Sequence, residues 1–167
     1  LRFLVFGILV LLALMLQVTL VEFIQVWGVK PDLVMVLITI NGFLRGTREG
    51  AFSGFAAGLL KDLTAGDFLG VGCLSGLVAG YAAGFAESRL FKENRIIVLG
   101  LVGFTSFLGQ LTSYLLLLLA GMGLPPGIAV WKILILLSTY NALIGFVIYG
   151  RYYRSVQKGL LSKEANV

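Results

Sequence analysis

Long apolar runs with the charges pushed to their ends constrain this chain more than any other feature. Residues 3–16 and 96–108 carry no charged side chain at all. A bilayer selects for such runs, because lipid offers no hydrogen bonds and the backbone must satisfy its own N–H and C=O groups. Helices and closed barrels both do this. The runs here are continuous rather than alternating, which points to helices. Over the whole chain 59% of the residues are hydrophobic and 13% charged, against about 25% charged in a soluble domain. The expected fold class is an all-α integral membrane protein, a six-transmembrane-helix bundle forming a single transmembrane domain over residues 1–167.

The six hydrophobic helices fall at about 3–26, 31–44, 48–63, 68–88, 96–121 and 127–150. The second and third are short: residues 31–44 span only about 21 Å at 1.5 Å per residue, against a hydrocarbon core of about 30 Å. A re-entrant hairpin would leave Arg45 and Arg48 near mid-membrane, at roughly 2.5–3.5 kcal/mol each. Two short spans packed inside the bundle cost less. Arg2 followed by residues 3–16 has the outline of a signal peptide, but 17–25 offers no small-residue cleavage site, so a retained first helix is expected.

Lysine and arginine set the orientation. With both termini in the cytoplasm, Arg2, Arg45, Arg48, Arg89, Lys92, Arg95, Arg151, Arg154, Lys158 and Lys163 lie inside, and only Lys30, Lys61 and Lys132 outside. This obeys the positive-inside rule. Pro31 suits a first helical turn, with Asp32 beside it favoured by the helix dipole. Thr47 is positioned to cap the third helix, with Glu49 in its first turn, and Asp67 to cap the fourth. Trp27, Trp131, Tyr149, Tyr152 and Tyr153 fall where an interfacial aromatic belt belongs.

The net charge of +5 has its explanation at the helix ends and forms no dense patch for nucleic acid. There is no histidine, which removes His-based triads and most zinc or haem sites, and Cys73 is the single cysteine. No catalytic residue, metal ligand or cofactor motif is expected, and the chain reads as a non-enzyme.

The strongest local pattern is glycine at every fourth position: Gly46, Gly50, Gly54 and Gly58, then Gly72, Gly76, Gly80 and Gly84. Residues four apart share a helix face, and glycine there lets two backbones approach closely, as helices do in lipid. These faces are candidates for helix packing, on each other or on a partner's helix. Asp62 continues the first stripe and has no capping explanation. It is a candidate functional carboxylate, with Lys30, Lys61 or Lys132 as its partner. Glu22 and Asp32 lie on the same outer side and complete a candidate polar site. Asn41, Gln110 and Asn141 are expected to form interhelical hydrogen bonds.

The segments Lys30-Pro31-Asp32-Leu33, Gly42-Phe43-Leu44-Arg45-Gly46, Glu49-Gly50, Gly54-Phe55-Ala56-Ala57-Gly58-Leu59-Leu60-Lys61-Asp62 and Leu69-Gly70, with Arg89-Leu90-Phe91 and Tyr140-Asn141-Ala142-Leu143, resemble the MreD family of rod shape-determining proteins. The resemblance covers nearly the whole chain. It implies a non-enzymatic subunit of the bacterial inner membrane. The implied partner is MreC, a single-pass protein with a periplasmic coiled coil, acting with the MreB filament, RodA and its transpeptidase in peptidoglycan synthesis. It also implies a six-helix bundle similar to the substrate-binding subunits of energy-coupling-factor vitamin transporters, so a small-molecule-binding role in vitamin uptake is the alternative. The family's acidic residue after the glycine run corresponds to Asp62, and Lys61 beside it departs from the more usual apolar residue.

Overall fold

The computed structural model describes residues 2–19, 28–66, 68–122 and 127–158. Among them are six α-helices and no β-strand: α1 (Arg2–Thr19), α2 (Leu33–Arg45), α3 (Thr47–Ala65), α4 (Val71–Ala86), α5 (Arg95–Leu119) and α6 (Ile128–Lys158). The later part of the first expected helix, including Glu22 and Trp27, lies outside the described residues, as do Asp67 and Lys163.

α2 is the axis of the bundle. Every residue from Val34 to Leu44 is buried, and the helix touches all five others. Its sequence has no polar stripe to turn outward, and a helix that is apolar all round belongs in an interior. The buried residues of α2 form one core with Phe6, Val10 and Leu14 of α1, Val98 and Val102 of α5, and Tyr149 and Tyr152 of α6.

Two stretches, Arg95–Leu119 and Val130–Arg154, are long and apolar enough to cross a membrane, and only 33% of each apolar window is buried. A core helix of a soluble protein would be mostly covered. Here Phe104, Leu115, Ile133, Ile135 and Val147 face outward, as do Leu11, Met15, Phe52, Leu63 and Tyr81 on other helices.

Several local expectations are corrected. The enclosed short helix is α2 alone, at 13 residues. α3 has 19 residues and exposes Phe52, Phe55, Leu59 and Leu63, whereas α4 has only 16. α3 is longer because it runs on to a stop at Gly66, whose φ of 70° and N–H bond to the Asp62 carbonyl close the last turn. α4 is shorter because its start is set by Gly70, at φ 106°. α2 begins at Leu33 rather than Pro31, with Asp32 as its cap: the carboxylate accepts from the Met35 N–H at 3.0 Å. Thr47 is inside α3 and not its cap; Gly46 takes that place, at φ 93° and without a side-chain bond. Tyr149 and Tyr152 are buried rather than part of an aromatic belt. Their hydroxyls donate to the Lys92 carbonyl at 2.6 Å and to Asn41 Oδ1 at 3.1 Å. Trp131 is exposed and stacks on Phe107 with ring centroids 6.2 Å apart.

Candidate functional site

The two glycine stripes face each other. α3 and α4 run antiparallel, and the register sets Gly58 against Gly72, Gly54 against Gly76, Gly50 against Gly80, and Gly46 against Gly84. A Cβ built on Gly54 would stand 2.7 Å from the Gly76 carbonyl carbon, and one on Gly58 only 2.5 Å from that of Gly72. No side chain fits between these backbones. α2 joins the seam from the side: a Cβ on Gly50 would lie 2.9 Å from the Gly42 Cα, and the Ile38 side chain covers Gly54, Gly76 and Gly80. Close backbone approach of this kind is how helices associate where lipid supplies no hydrophobic drive between them.

Asp62 sits one step beyond Gly58, at the end of this seam, and it is buried. Its carboxylate accepts from the Gly72 N–H at 2.9 Å, the Gly70 N–H at 2.9 Å and the Cys73 N–H at 3.2 Å. The first turn of α4 has no side-chain cap of its own, since its N-cap is Gly70. Asp62 supplies that cap from the neighbouring helix, and the positive end of the α4 dipole favours its charge. The expectation that Asp62 lacks a capping role and takes a lysine partner is therefore corrected.

Lys61 pairs instead with Asp32. Asp32 is buried and closely partnered: Oδ1 accepts from Met35 N–H and from Gln17 Nε2 at 3.3 Å, Oδ2 from Lys61, and its own N–H donates to Asn141 Oδ1 at 2.8 Å. Asp32 and Asp62 thus flank Lys61 without meeting each other, and Glu22 lies outside the described residues. Lys61 lines two adjoining cavities, one of about 220 Å³ with Asp32, Gln17, Lys30 and Gln110, the other of about 330 Å³ with Asp62, Phe68 and Ser113.

Polar side chains elsewhere tie helices together. Asn41 Nδ2 donates to Ser53 Oγ at 3.0 Å, and its Oδ1 accepts from Arg45 Nε at 2.9 Å and from the Tyr152 hydroxyl, joining α2, α3 and α6. Asn141 Nδ2 donates to Ser106 Oγ at 3.2 Å, and Thr39 and Thr105 share a bond at 2.8 Å. Gln110 lines the smaller cavity. Ser53, Ser106, Thr39 and Thr105 were accessible to sequence reasoning as polar residues within apolar helices, but their partners lie on other elements. Among the described residues no buried side-chain nitrogen or oxygen lacks a hydrogen bond. Replacing Asn141 by leucine is expected to lower the unfolding free energy by about 2 kcal/mol, since it strands the buried Asp32 N–H and Ser106 hydroxyl. Denaturant titration of the variant against the parent protein checks this.

These features define a class: an all-helical bundle with an apolar exterior, whose buried polar groups cap and cross-link its own helices, and whose described residues hold no cluster suited to a metal ion. The family model of the rod shape-determining protein MreD matches residues 1–156, and the chain belongs to that family. Its family is therefore one of membrane-associated, shape-determining structural proteins. No curated protein matches the chain. No solved structure matches it either.

Proposed function

We propose that this chain is a multi-pass scaffold of the bacterial inner membrane that binds MreC and helps to position peptidoglycan synthesis with MreB, RodA and its transpeptidase. The observation that carries this reading is the family membership, taken together with an apolar exterior that needs a bilayer or a partner helix to cover it. Six spans place both termini in the cytoplasm. Arg45, Arg48, Arg89, Lys92, Arg95, Arg151 and Arg154 then share the inner end, and Lys30, Lys61 and Lys132 the outer. The role is positional rather than catalytic. A partner helix that fits one arrangement of the bundle better than another stabilises that arrangement, and the effect cannot exceed the difference in its two affinities.

Because α3 and α4 leave no room for another helix in their glycine seam, the partner helix must use an outward face. Affinity purification from native membranes in mild detergent, with partners identified by mass spectrometry, tests the proposal. Recovery of a single-pass coiled-coil protein together with wall-synthesis enzymes is the expected result. Recovery of ATPase subunits in their place would overturn it and favour a vitamin-uptake role.

A further inference from the structure

Most polar side chains within the apolar helices find partners inside the bundle. Asn41 and Asn141 bond across helices, Thr112 donates back to the Leu108 carbonyl at 2.8 Å, and Ser138 to the Leu134 carbonyl at 2.7 Å. Three neighbours on α5 depart from this. Gln110, Ser113 and Tyr114 are half-buried, and none of their side chains has a hydrogen-bond partner among the described residues. Spaced three and four apart, they share one face of the helix. All three line a cavity of about 240 Å³ between α5 and α6, with Leu117, Ile133 and Leu134 as apolar wall and the exposed Ile133 at its edge.

The walls narrow what fits. Among the described residues no charged side chain lines this cavity. The charges next to it are engaged elsewhere, Lys61 with Asp32 and Asp62 with N–H groups at the start of α4. An amide and two hydroxyls offer both donors and acceptors, so the complementary group is uncharged and carries both as well. Depth points the same way. Gln110 lies roughly 13 Å from the Leu119 end of α5 at about 1.5 Å per residue. In a hydrocarbon core about 30 Å thick this is the level of acyl chains, where a charged head group is far costlier than an uncharged one. Size excludes a whole helix: at about 10 Å across, a 10 Å length of it takes up on the order of 800 Å³.

We propose that this cavity binds an uncharged glycerolipid of the diacylglycerol class, its free hydroxyl and ester carbonyls on Gln110, Ser113 and Tyr114 and its acyl body against Ile133 and Leu134. The proposal rests on the membrane placement above, and not on MreC.

The test uses the full chain in dioleoylphosphatidylcholine nanodiscs doped equally with dioleoylglycerol and dioleoylphosphatidic acid, read by native mass spectrometry. Dioleoylglycerol should be retained in preference to both phospholipids. Gln110→Leu is expected to weaken retention about tenfold, the loss of one or two hydrogen bonds, and Ile133→Trp to weaken it by filling the apolar wall. Neither substitution removes a hydrogen bond within the bundle, so folding is expected to survive, and circular dichroism checks it. Leu115→Trp, at an exposed α5 position that does not line the cavity, should leave retention unchanged. Equal retention of phosphatidic acid or phosphatidylcholine would overturn the proposal, as would retention indifferent to both cavity variants. Affinity purification of Gln110→Leu from native membranes reports separately on the scaffold reading. Partners recovered as with the parent chain are expected; their loss from this variant alone would assign the face to a partner helix and sink the lipid site.

Discussion

Replacing Gly54 by valine is expected to destabilise the bundle by about 3 kcal/mol or more, at or above the top of the usual range for overpacking. The reason is geometric. Already the Cβ would press on the Gly76 carbonyl, with its carbon at 2.7 Å, and Ile38 closes the third side at 3.2 Å. A flexible side chain could swing away; two helix backbones can only separate, and separation breaks the contacts of every other pair in the seam. Gly100 provides the control, because a Cβ there meets nothing within 4 Å. Gly100→Ala should be neutral or stabilising by up to about 1 kcal/mol, as expected from helix propensity. Unfolding of both variants in mixed detergent micelles, followed by circular dichroism, measures the contrast. An unchanged midpoint for Gly54→Val would mean that α3 and α4 do not meet through these glycines.

Asp62→Ala should be nearly as damaging, at about 3 kcal/mol. It removes a charged acceptor from the Gly70, Gly72 and Cys73 N–H groups; hydrogen bonds to charged groups contribute about 1.5–3 kcal/mol each, net of their exchange with water, and water entering the vacated space re-satisfies some of the three donors. Asp62→Asn keeps one acceptor oxygen and should cost about half as much. Amide hydrogen exchange localises the effect: the first turn of α4 should lose protection in Asp62→Ala, with α5 and α6 little changed. Uniform loss of protection over the whole bundle would show that Asp62 is not acting as a local cap.

The elements were legible because period and punctuation are local properties. Apolar runs give six helices, and the four-residue spacing of glycine announces two narrow faces. The register between those faces was not legible. It depends on the length of the turn after Gly66 and on where α4 begins, which Gly70 sets by its left-handed conformation. Asp62 was visible as an acid on a packing face, but its partners are backbone N–H groups of another helix, and backbone donors have no sequence signature. The signal that points to them is negative: α4 starts at Gly70-Val71-Gly72, a first turn with no capping side chain of its own. Lys61 and Asp32 are far apart in sequence, and only the antiparallel packing of α2 and α3 brings them together. Tyr149 and Tyr152 were misplaced for a related reason. A tyrosine near a helix end suits the interface, unless a neighbouring helix offers it an acceptor, as Asn41 and the Lys92 carbonyl do.

The glycine-on-glycine seam also limits how this protein can vary over evolutionary time. Where two large side chains touch, growth of one can be compensated by shrinkage of the other, and relatives then record the contact as a correlated pair. At Gly54 and Gly76, or Gly58 and Gly72, both partners are already the smallest residue there is. Neither has anything to give up. This close helix contact should therefore leave no trace of coupled substitution among relatives, and methods that infer proximity from such coupling should be blind where these two stretches of backbone meet.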